Sequence, residues 1–195
     1  MNVNMGSNLY LGLVHHPIYD KRKEVVASAI TNFDIHDIAR CAKTFGIGGF
    51  YIITPLESQV QLAERIIRHW MEGAGSAYNP TRKESLSLAR VSRTIDEAAC
   101  EISDRSQTKV KTVATGASPH PRNINFDFFR KLLKDSDTPF LILFGTGWGL
   151  TEEVKDRSDY ILAPIEGKGY NHLSVRSAVA IILDRLLGER INSLE

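Results

Sequence analysis

The sequence has very little cysteine and no pattern typical of a metal site. Only Cys41 and Cys100 occur, with no CxxC motif and no Cys/His pair at metal-ligand spacing. We therefore expect a reduced, cytoplasmic protein that binds no metal. The adjacent His15 and His16 are interpreted as a strand end that meets solvent.

The sequence also lacks a long hydrophobic run and a dominant charge. No apolar run reaches the roughly 18 residues of a membrane span, and the N-terminus lacks the charged and then apolar design of a signal peptide. With 24 Lys and Arg against 23 Asp and Glu, the net charge is +1, so only a local basic face can favour nucleic acid. The 195 residues suffice for one substantial core, and we expect a single domain over residues 1–195.

Short apolar runs alternate with helical patterns along the chain. Leu9–Val14 is predicted as a strand, residues 21–30 as a polar cluster and a helix through Ile30, residues 35–45 as a helix and Phe50–Ile53 as the next strand. The later predicted elements are a helix at 60–71, a loop at 73–80, helices at 83–89 and 95–102, a strand at 109–114, a helix at 126–133, strands from 140 and 160, and a helix at 173–187. This alternation predicts an α/β fold with a mostly parallel sheet sandwiched by helices.

The most informative pattern is a pair of buried strands that run into unusual loops near residues 145 and 163. Gly145, Gly147 and Gly149 follow the first of these strands and would let a ligand approach the backbone closely. In parallel sheets, ligands bind outside the carboxyl ends of strands, so a site is expected there. The alternative is that these glycines form a tight turn that binds no ligand, because the sequence lacks the full dinucleotide-binding fingerprint.

Three blocks of the sequence stand out, namely FDIHDIARCAKTFGIGGFYI, LILFGTGWGLTEE and ILAPIEGKGYNHLSVRSAVAIILDRL. They resemble the motifs of the SPOUT class of S-adenosylmethionine (SAM)-dependent RNA methyltransferases. The resemblance implies a C-terminal trefoil knot, SAM as cofactor, tRNA or rRNA as substrate, and a homodimer. It also implies a methyl donor held at three loops, namely by Thr115, Gly116, Ala117, Phe144, Gly145, Thr146, Gly147, Trp148, Gly149, Leu162, Pro164, Ile165, Tyr170, Asn171, Leu173 and Ser174.

The first block supplies the candidate catalytic residues Asp34, Asp37 and Arg40. Arg40 matches a functional Arg of the members that methylate the 2′-hydroxyl, whereas Asp34 stands where many of them have Asn. A carboxylate can draw a proton from the acceptor, and Arg40 can bind phosphate or stabilise an alkoxide. The alternative for Asp34 and Asp37 is helix capping, with Asp34 or Asn32 as N-cap.

Arg176 lies within the otherwise apolar last helix and requires a partner. The candidates are the carboxylate of the donor, Asp34 across a subunit boundary, or solvent at a dimer edge. Asn171 is a candidate cap of the same helix.

The resemblance leaves the acceptor atom open. A ribose 2′-hydroxyl is preferred because of Arg40, a guanine ring nitrogen is the alternative, and a non-catalytic SAM- or nucleotide-binding module is the rival from another class. Because no separate RNA-binding domain is evident, a partner protein or local basic groups would grip the RNA. The candidate phosphate contacts are Lys21, Arg22, Lys23, Arg65, Arg68, Arg82, Lys83 and Arg122.

Overall fold

Nine strands lie within residues 6–188, the part of the chain that the computed structural model describes. They are β1 (Leu9–Val14), β2 (Ile18–Tyr19), β3 (Val25–Val26), β4 (Gly49–Ile53), β5 (Ala89–Ser92), β6 (Lys111–Ala114), β7 (Asn123–Ile124), β8 (Phe140–Gly145) and β9 (Tyr160–Leu162). The two ends of the predicted domain, residues 1–5 and 189–195, lie outside the described region.

Eight helices occur in the same described region. They are α1 (Asn32–Thr44), α2 (Glu57–Met71), α3 (Ala74–Tyr78), α4 (Pro80–Leu86), α5 (Ile95–Ser106), α6 (Phe126–Asp135), α7 (Glu152–Arg157) and α8 (Val175–Leu187). None of them is long and apolar enough to cross a membrane.

Seven strands form one sheet in the order β5-β4-β1-β8-β6-β9-β7, and every pair in it is parallel. One face packs against α1, α2, α4, α6 and α8, and the other against α5 and α7. Both faces are therefore buried, which explains the nearly continuous apolar runs of β1 and β8. The predicted parallel sheet sandwiched by helices is confirmed.

Helix α1 illustrates how local sequence positions the first block. Ile35, Ile38, Ala39 and Ala42 recur at helical spacing and are buried in the core. Thr31 is the N-cap, since its Oγ1 accepts the N–H of Asp34 at 3.1 Å, so the expectation of Asp34 or Asn32 as N-cap was wrong. The backbone reverses after the helix at Gly46, with φ of 66°.

Three local predictions were wrong where tertiary contacts or turn chemistry dominate. Residues 21–30 contain no helix; β2 and β3 form an antiparallel hairpin whose turn is held by Asp20, which accepts the N–H groups of Arg22 and Glu24. The loop predicted at 73–80 contains the short α3 and the start of α4. The helix predicted at 83–89 ends at Leu86, and Ala89 begins β5, which pairs with β4.

Candidate active site

The three predicted donor loops converge at one edge of the sheet. They follow β6, β8 and β9, which are parallel neighbours, so their carboxyl ends lie side by side. Thr115 donates its N–H and its hydroxyl to the carbonyl oxygen of Leu143, at 3.1 and 2.9 Å, which joins the first loop to β8, the strand that leads into the second. The Asn171 amide donates to the carbonyl oxygen of Ala117 at 2.9 Å and joins the third loop to the first.

The glycines of the second loop are needed for its backbone path. A Cβ on Gly145 would lie 2.5 Å from the backbone nitrogen of Leu150, and Gly147 and Gly149 have φ of +56° and +95°. Side chains are disfavoured at all three positions for steric or conformational reasons. The glycine pattern therefore encodes a tight loop with backbone groups at its surface.

The β2–β3 hairpin anchors this second loop, a contact that no sequence pattern predicted. The Trp148 N–H donates to the carbonyl oxygen of Tyr19 at 3.0 Å, and the Tyr19 N–H donates to that of Gly149 at 2.9 Å. The Thr146 N–H binds the carbonyl oxygen of Val14 at 3.1 Å. Asp20, a residue typical of turns, was the available sequence signal for this hairpin. Its strands have two residues each and are too short to show the alternation of apolar and polar residues that predicts a strand.

A chain of hydrogen bonds through the half-buried Ser28 and Thr146 reaches the second loop from the buried His15. Thr146 donates its hydroxyl to the Val14 carbonyl oxygen at 3.0 Å, so the Ser28 hydroxyl, 2.6 Å away, donates to Thr146 Oγ1. Ser28 Oγ then accepts from His15 Nδ1 at 2.8 Å, which assigns the proton of the neutral imidazole to Nδ1. His15 is fully buried, and burial lowers its pKa to about 4, so the expectation that it meets solvent was wrong.

Arg176 connects the first block to the last helix within one chain. Its Nε lies 3.1 Å from Oδ1 of Asp34, and its NH1 donates to Oδ2 of Asp37 at 3.0 Å. Arg176 therefore pairs with Asp34, one of its expected partners, but the pair forms within one chain and not across a subunit boundary. Thr31 also donates its hydroxyl to Oδ2 of Asp34 at 2.6 Å, so both carboxylate oxygens of Asp34 are engaged.

Arg40 lies six residues beyond Asp34 on α1 and differs from Arg176 in its surroundings. Its side chain is exposed, and no carboxylate of the described residues lies within ion-pair distance of it. Trp148 and Tyr170, at the second and third loops, are also exposed. Arg40 therefore presents a guanidinium without an ion-pair partner among the described residues, and Trp148 and Tyr170 each present an exposed aromatic face.

The remaining predicted loop residues differ in exposure. Phe144 and Leu162 are buried at strand ends, Pro164 and Ile165 are half-buried, and Leu173 and Ser174 are exposed. Ser174 is the N-cap of α8, so Asn171 links two loops rather than capping the helix. A cavity of about 290 Å³ lies near Leu143, between α5 and α7, and none of the three donor loops lines it.

Solved structures define the class of fold. The SpoU methyltransferase AviRb of Streptomyces viridochromogenes, determined in complex with AdoMet, matches with a TM-score of 0.57 at 18% identity, over 94% of this chain and 58% of that chain. This fold is the SPOUT fold, with its C-terminal trefoil knot, as the sequence blocks predicted.

Sequence comparisons define the family. A family model described as "SAM-dependent RNA methyltransferase" matches residues 8–188, and the chain belongs to this family, whose cofactor is SAM. A "tRNA (guanine-N(1)-)-methyltransferase" of Oleidesulfovibrio alaskensis is 46% identical over 187 residues, which are 95% of this chain and 43% of that protein. An uncharacterized protein of Aquifex aeolicus is 38% identical over 185 residues, covering 94% of this chain and 90% of that protein.

The residues at the three loops fit a SAM donor. Gly116 and Gly147 make no backbone hydrogen bond to other described residues, so their N–H and C=O groups can read an adenine edge. A Cβ on Gly116 would meet no atom within 4 Å, so there is open space beside the first loop. SAM would supply an electrophilic methyl group on a sulfonium, and the protein would supply positioning and a proton acceptor.

Proposed function

We propose that this chain transfers the methyl group of SAM to tRNA, with a ribose 2′-hydroxyl as the acceptor. Family membership supports the reaction class, and relatives named as tRNA methyltransferases support the RNA class. The observation that carries the choice of acceptor is the exposed, unpaired guanidinium of Arg40, which is suited to an adjacent phosphate or a developing alkoxide.

We propose different roles for the two carboxylates of the first block. Asp34 has both oxygens engaged, by Thr31 and Arg176, so it orients Arg176 rather than accepting a proton. The Asp37 side chain is 43% exposed and uses one oxygen toward Arg176. The other oxygen of Asp37 is the better candidate to accept the proton that leaves the acceptor.

The proposed donor site consists of the sixteen loop residues named above, which hold and orient SAM for in-line transfer. Exclusion of water and alignment of the acceptor supply the rate enhancement, since no covalent enzyme intermediate is required. Cys41 lies on α1 and Cys100 on α5, outside the three loops, which agrees with transfer without a thiol intermediate.

A guanine N1 acceptor is the second candidate, and the names of two relatives favour it. The chain is 46% and 44% identical to these proteins but spans 43% of each, so more than half of each named protein lies outside the shared region. The guanine-N1 methylation that these names state can reside in the shared region or in the remaining part of each protein. A non-catalytic SAM-binding module is the third reading and predicts binding without transfer.

We also propose that residues 1–195 form one methyltransferase domain that acts in the cytoplasm as a homodimer. In such a dimer, the donor loops of one subunit would face the first block of the other. A partner protein or an additional domain would extend the contact with RNA.

The test is transfer of radiolabelled methyl groups from SAM to unmodified tRNA, followed by nucleoside analysis. We expect a 2′-O-methylated nucleoside, whereas 1-methylguanosine would refute the ribose acceptor. SAM at one hundred times its Kd should stabilise the fold by about 2.7 kcal/mol. Stabilisation without transfer to any RNA would favour the non-catalytic reading.

The role of Arg40 is tested separately. Arg40→Gln should lower the transfer rate by about 10²-fold, because it removes a charge that stabilises the acceptor oxygen, and leave SAM affinity unchanged. Arg105→Gln on α5 is the control, since Arg105 pairs with Glu101 away from the loops and should keep full activity. An Arg40→Gln enzyme with wild-type rate would contradict the assignment.

A further inference from the structure

We propose that α1, α2 and α4 carry the surface that binds the tRNA backbone, and we call it the cationic face: Arg40, Arg65, Arg68, His69, Trp70 and Arg82. This inference rests on the proposed function, because it names where the same substrate lies. It adds a site for the phosphates that is separate from the donor loops.

The first observation is a cluster of rings and guanidinium groups around Trp70 of α2. The guanidinium carbon of Arg82, on α4, lies 4.5 Å from the centroid of the Trp70 ring. His36 and His69 both meet Trp70 edge-on, with centroids 5.5 and 5.1 Å away. Stacked Arg and aromatic groups of this kind are typical of surfaces that bind phosphates and bases.

The second observation is the lack of anionic partners for these cations. Ten cations of the described residues make ion pairs with carboxylates, and Arg40, Arg65, Arg68 and Arg82 are not among them. Charges that lack a carboxylate in the folded chain are available to phosphates at little desolvation cost. Arg122, also predicted as a phosphate contact, instead donates to the carbonyl oxygens of Asp156 and Ser158.

The third observation is continuity with the first block. His36 and Arg40 are one helical turn apart on α1, and His36 contacts Trp70. The pKa of His36 is lowered first by burial and then by the charge of Arg82, with Arg40 adding to the effect, so both cations act on the same ring. The cationic face therefore extends directly to the residue proposed to act on the acceptor.

A shallow groove lies on the adjoining side of α2, and His69 belongs both to this groove and to the cluster around Trp70. Arg65, Arg68, His69, Glu72 and Gly73 line this groove of about 350 Å³. Glu72 contributes one negative charge, and no ion pair joins it to Arg65 or Arg68 within residues 6–188. The groove thus keeps a net positive charge, as a channel for a phosphate backbone requires.

The test compares two triple variants of equal charge. Arg65→Gln/Arg68→Gln/Arg82→Gln removes three cations from the cationic face, and Lys109→Gln/Lys131→Gln/Lys134→Gln removes three exposed lysines on other elements, one just before β6 and two on α6. Binding of unmodified tRNA is measured by filter binding over a range of salt concentrations. SAM affinity is measured by calorimetry and the oligomeric state by light scattering.

We expect the arginine variant to bind tRNA at least tenfold more weakly and to lower the salt slope by about 0.9 for each phosphate that it no longer neutralises. The lysine variant should bind like the wild type, and both should keep SAM affinity. Equal weakening of tRNA binding in the two variants would show a general charge effect and overturn the proposal. A changed oligomeric state in the arginine variant alone would also overturn it, because the face would then bind a second copy of the chain.

Failure of the proposed function gives a different result. If the wild-type protein methylates no RNA yet binds tRNA through these arginines, the cationic face stands and the enzymatic proposal fails. If the wild-type protein methylates RNA and the arginine variant retains full tRNA affinity, the proposed function stands and the proposed cationic face fails.

Discussion

At the scale of single residues, His15 has the most unusual environment. It is fully buried, is held neutral with its proton on Nδ1, and binds Ser28, which binds Thr146 of the second loop. Its Nε2 atom has no hydrogen-bond partner among the described residues. Protonation would place a positive charge inside the protein, and burial disfavours this charge by more than the nearby Asp34 carboxylate stabilises it.

The stability of the protein should therefore depend on pH through His15. Its pKa is about 4 in the folded protein and 6.5 in the reference state, so the unfolded chain binds more protons between these values. The free energy of unfolding should fall as pH falls from about 6.5 to about 4, by on the order of 3 kcal/mol. Urea unfolding at a series of pH values measures this, and NMR titration of the imidazole reports the pKa directly.

His15→Asn is the matching variant, and His16→Asn is its control on the adjacent position. His15→Asn should reduce the decrease in the free energy of unfolding between pH 6.5 and 4, and His16→Asn should preserve that decrease. A His15 resonance that titrates near 6.5 in the folded protein would contradict the buried network.

The hydrogen bonds that join His15, Ser28 and Thr146 show why contacts between single residues could be predicted only in part. Glycine chemistry located the second loop, because Gly145, Gly147 and Gly149 are required by local backbone geometry. Ser28 and Thr146 are 118 residues apart, and no local pattern relates them. The ion pair of Arg176 was anticipated because a buried charge demands a partner, but its location within one chain depends on how α1 and α8 pack.

At the scale of elements, the loops at the ends of β6 and β8 differ in how tightly they are packed. A Cβ on Gly145 would collide with backbone atoms of Gly149 and Leu150, whereas a Cβ on Gly116 would enter open space. The first loop thus tolerates an added methyl group in the folded protein, and the second does not.

Two alanine variants separate folding from donor binding. Gly145→Ala should destabilise the fold by about 2 kcal/mol or more, because backbone cannot yield as a side chain does. Gly116→Ala should change stability by less than about 0.5 kcal/mol yet weaken SAM binding about tenfold, because its methyl group fills space proposed for the donor. Urea unfolding and calorimetry give the two quantities, and unchanged SAM affinity in Gly116→Ala would exclude the first loop from the donor site.

Helices were predicted correctly from the sequence where apolar residues recur at helical spacing over a long segment. Helices α1, α5, α6 and α8 were predicted near their observed bounds, because their buried and half-buried apolar residues recur at helical spacing over about two turns or more. The short strands β2, β3, β5 and β7 were missed, because two to four partly exposed residues show no period and depend on distant pairing.

At the scale of the whole molecule, an exposed apolar corner lies where α1 meets α8. The side chain of Phe33 is 69% exposed, Arg176 lies 5.7 Å from its ring, and Leu173 nearby in the chain is 43% exposed. Such a corner is suited to the centre of the proposed homodimer interface.

Phe33→Asp should convert the dimer to a monomer at micromolar concentration, as measured by sedimentation velocity. The variant should fold, because an acidic residue in the first turn of α1 interacts favourably with the helix dipole. Phe128→Asp on α6, where Phe128 is 47% exposed, is the control and should leave the assembly unchanged. An unchanged Phe33→Asp dimer would place the interface elsewhere.

The position of β1 between β4 and β8 also determines when this protein can fold during synthesis. The register places Leu9 beside Phe140, so one side of β1 stays unpaired until the ribosome has added the residues up to Gly145. Until then the nascent chain exposes the backbone edge of a largely apolar strand, a state prone to association with other chains. Translation speed and chaperone supply should therefore influence the yield of native protein.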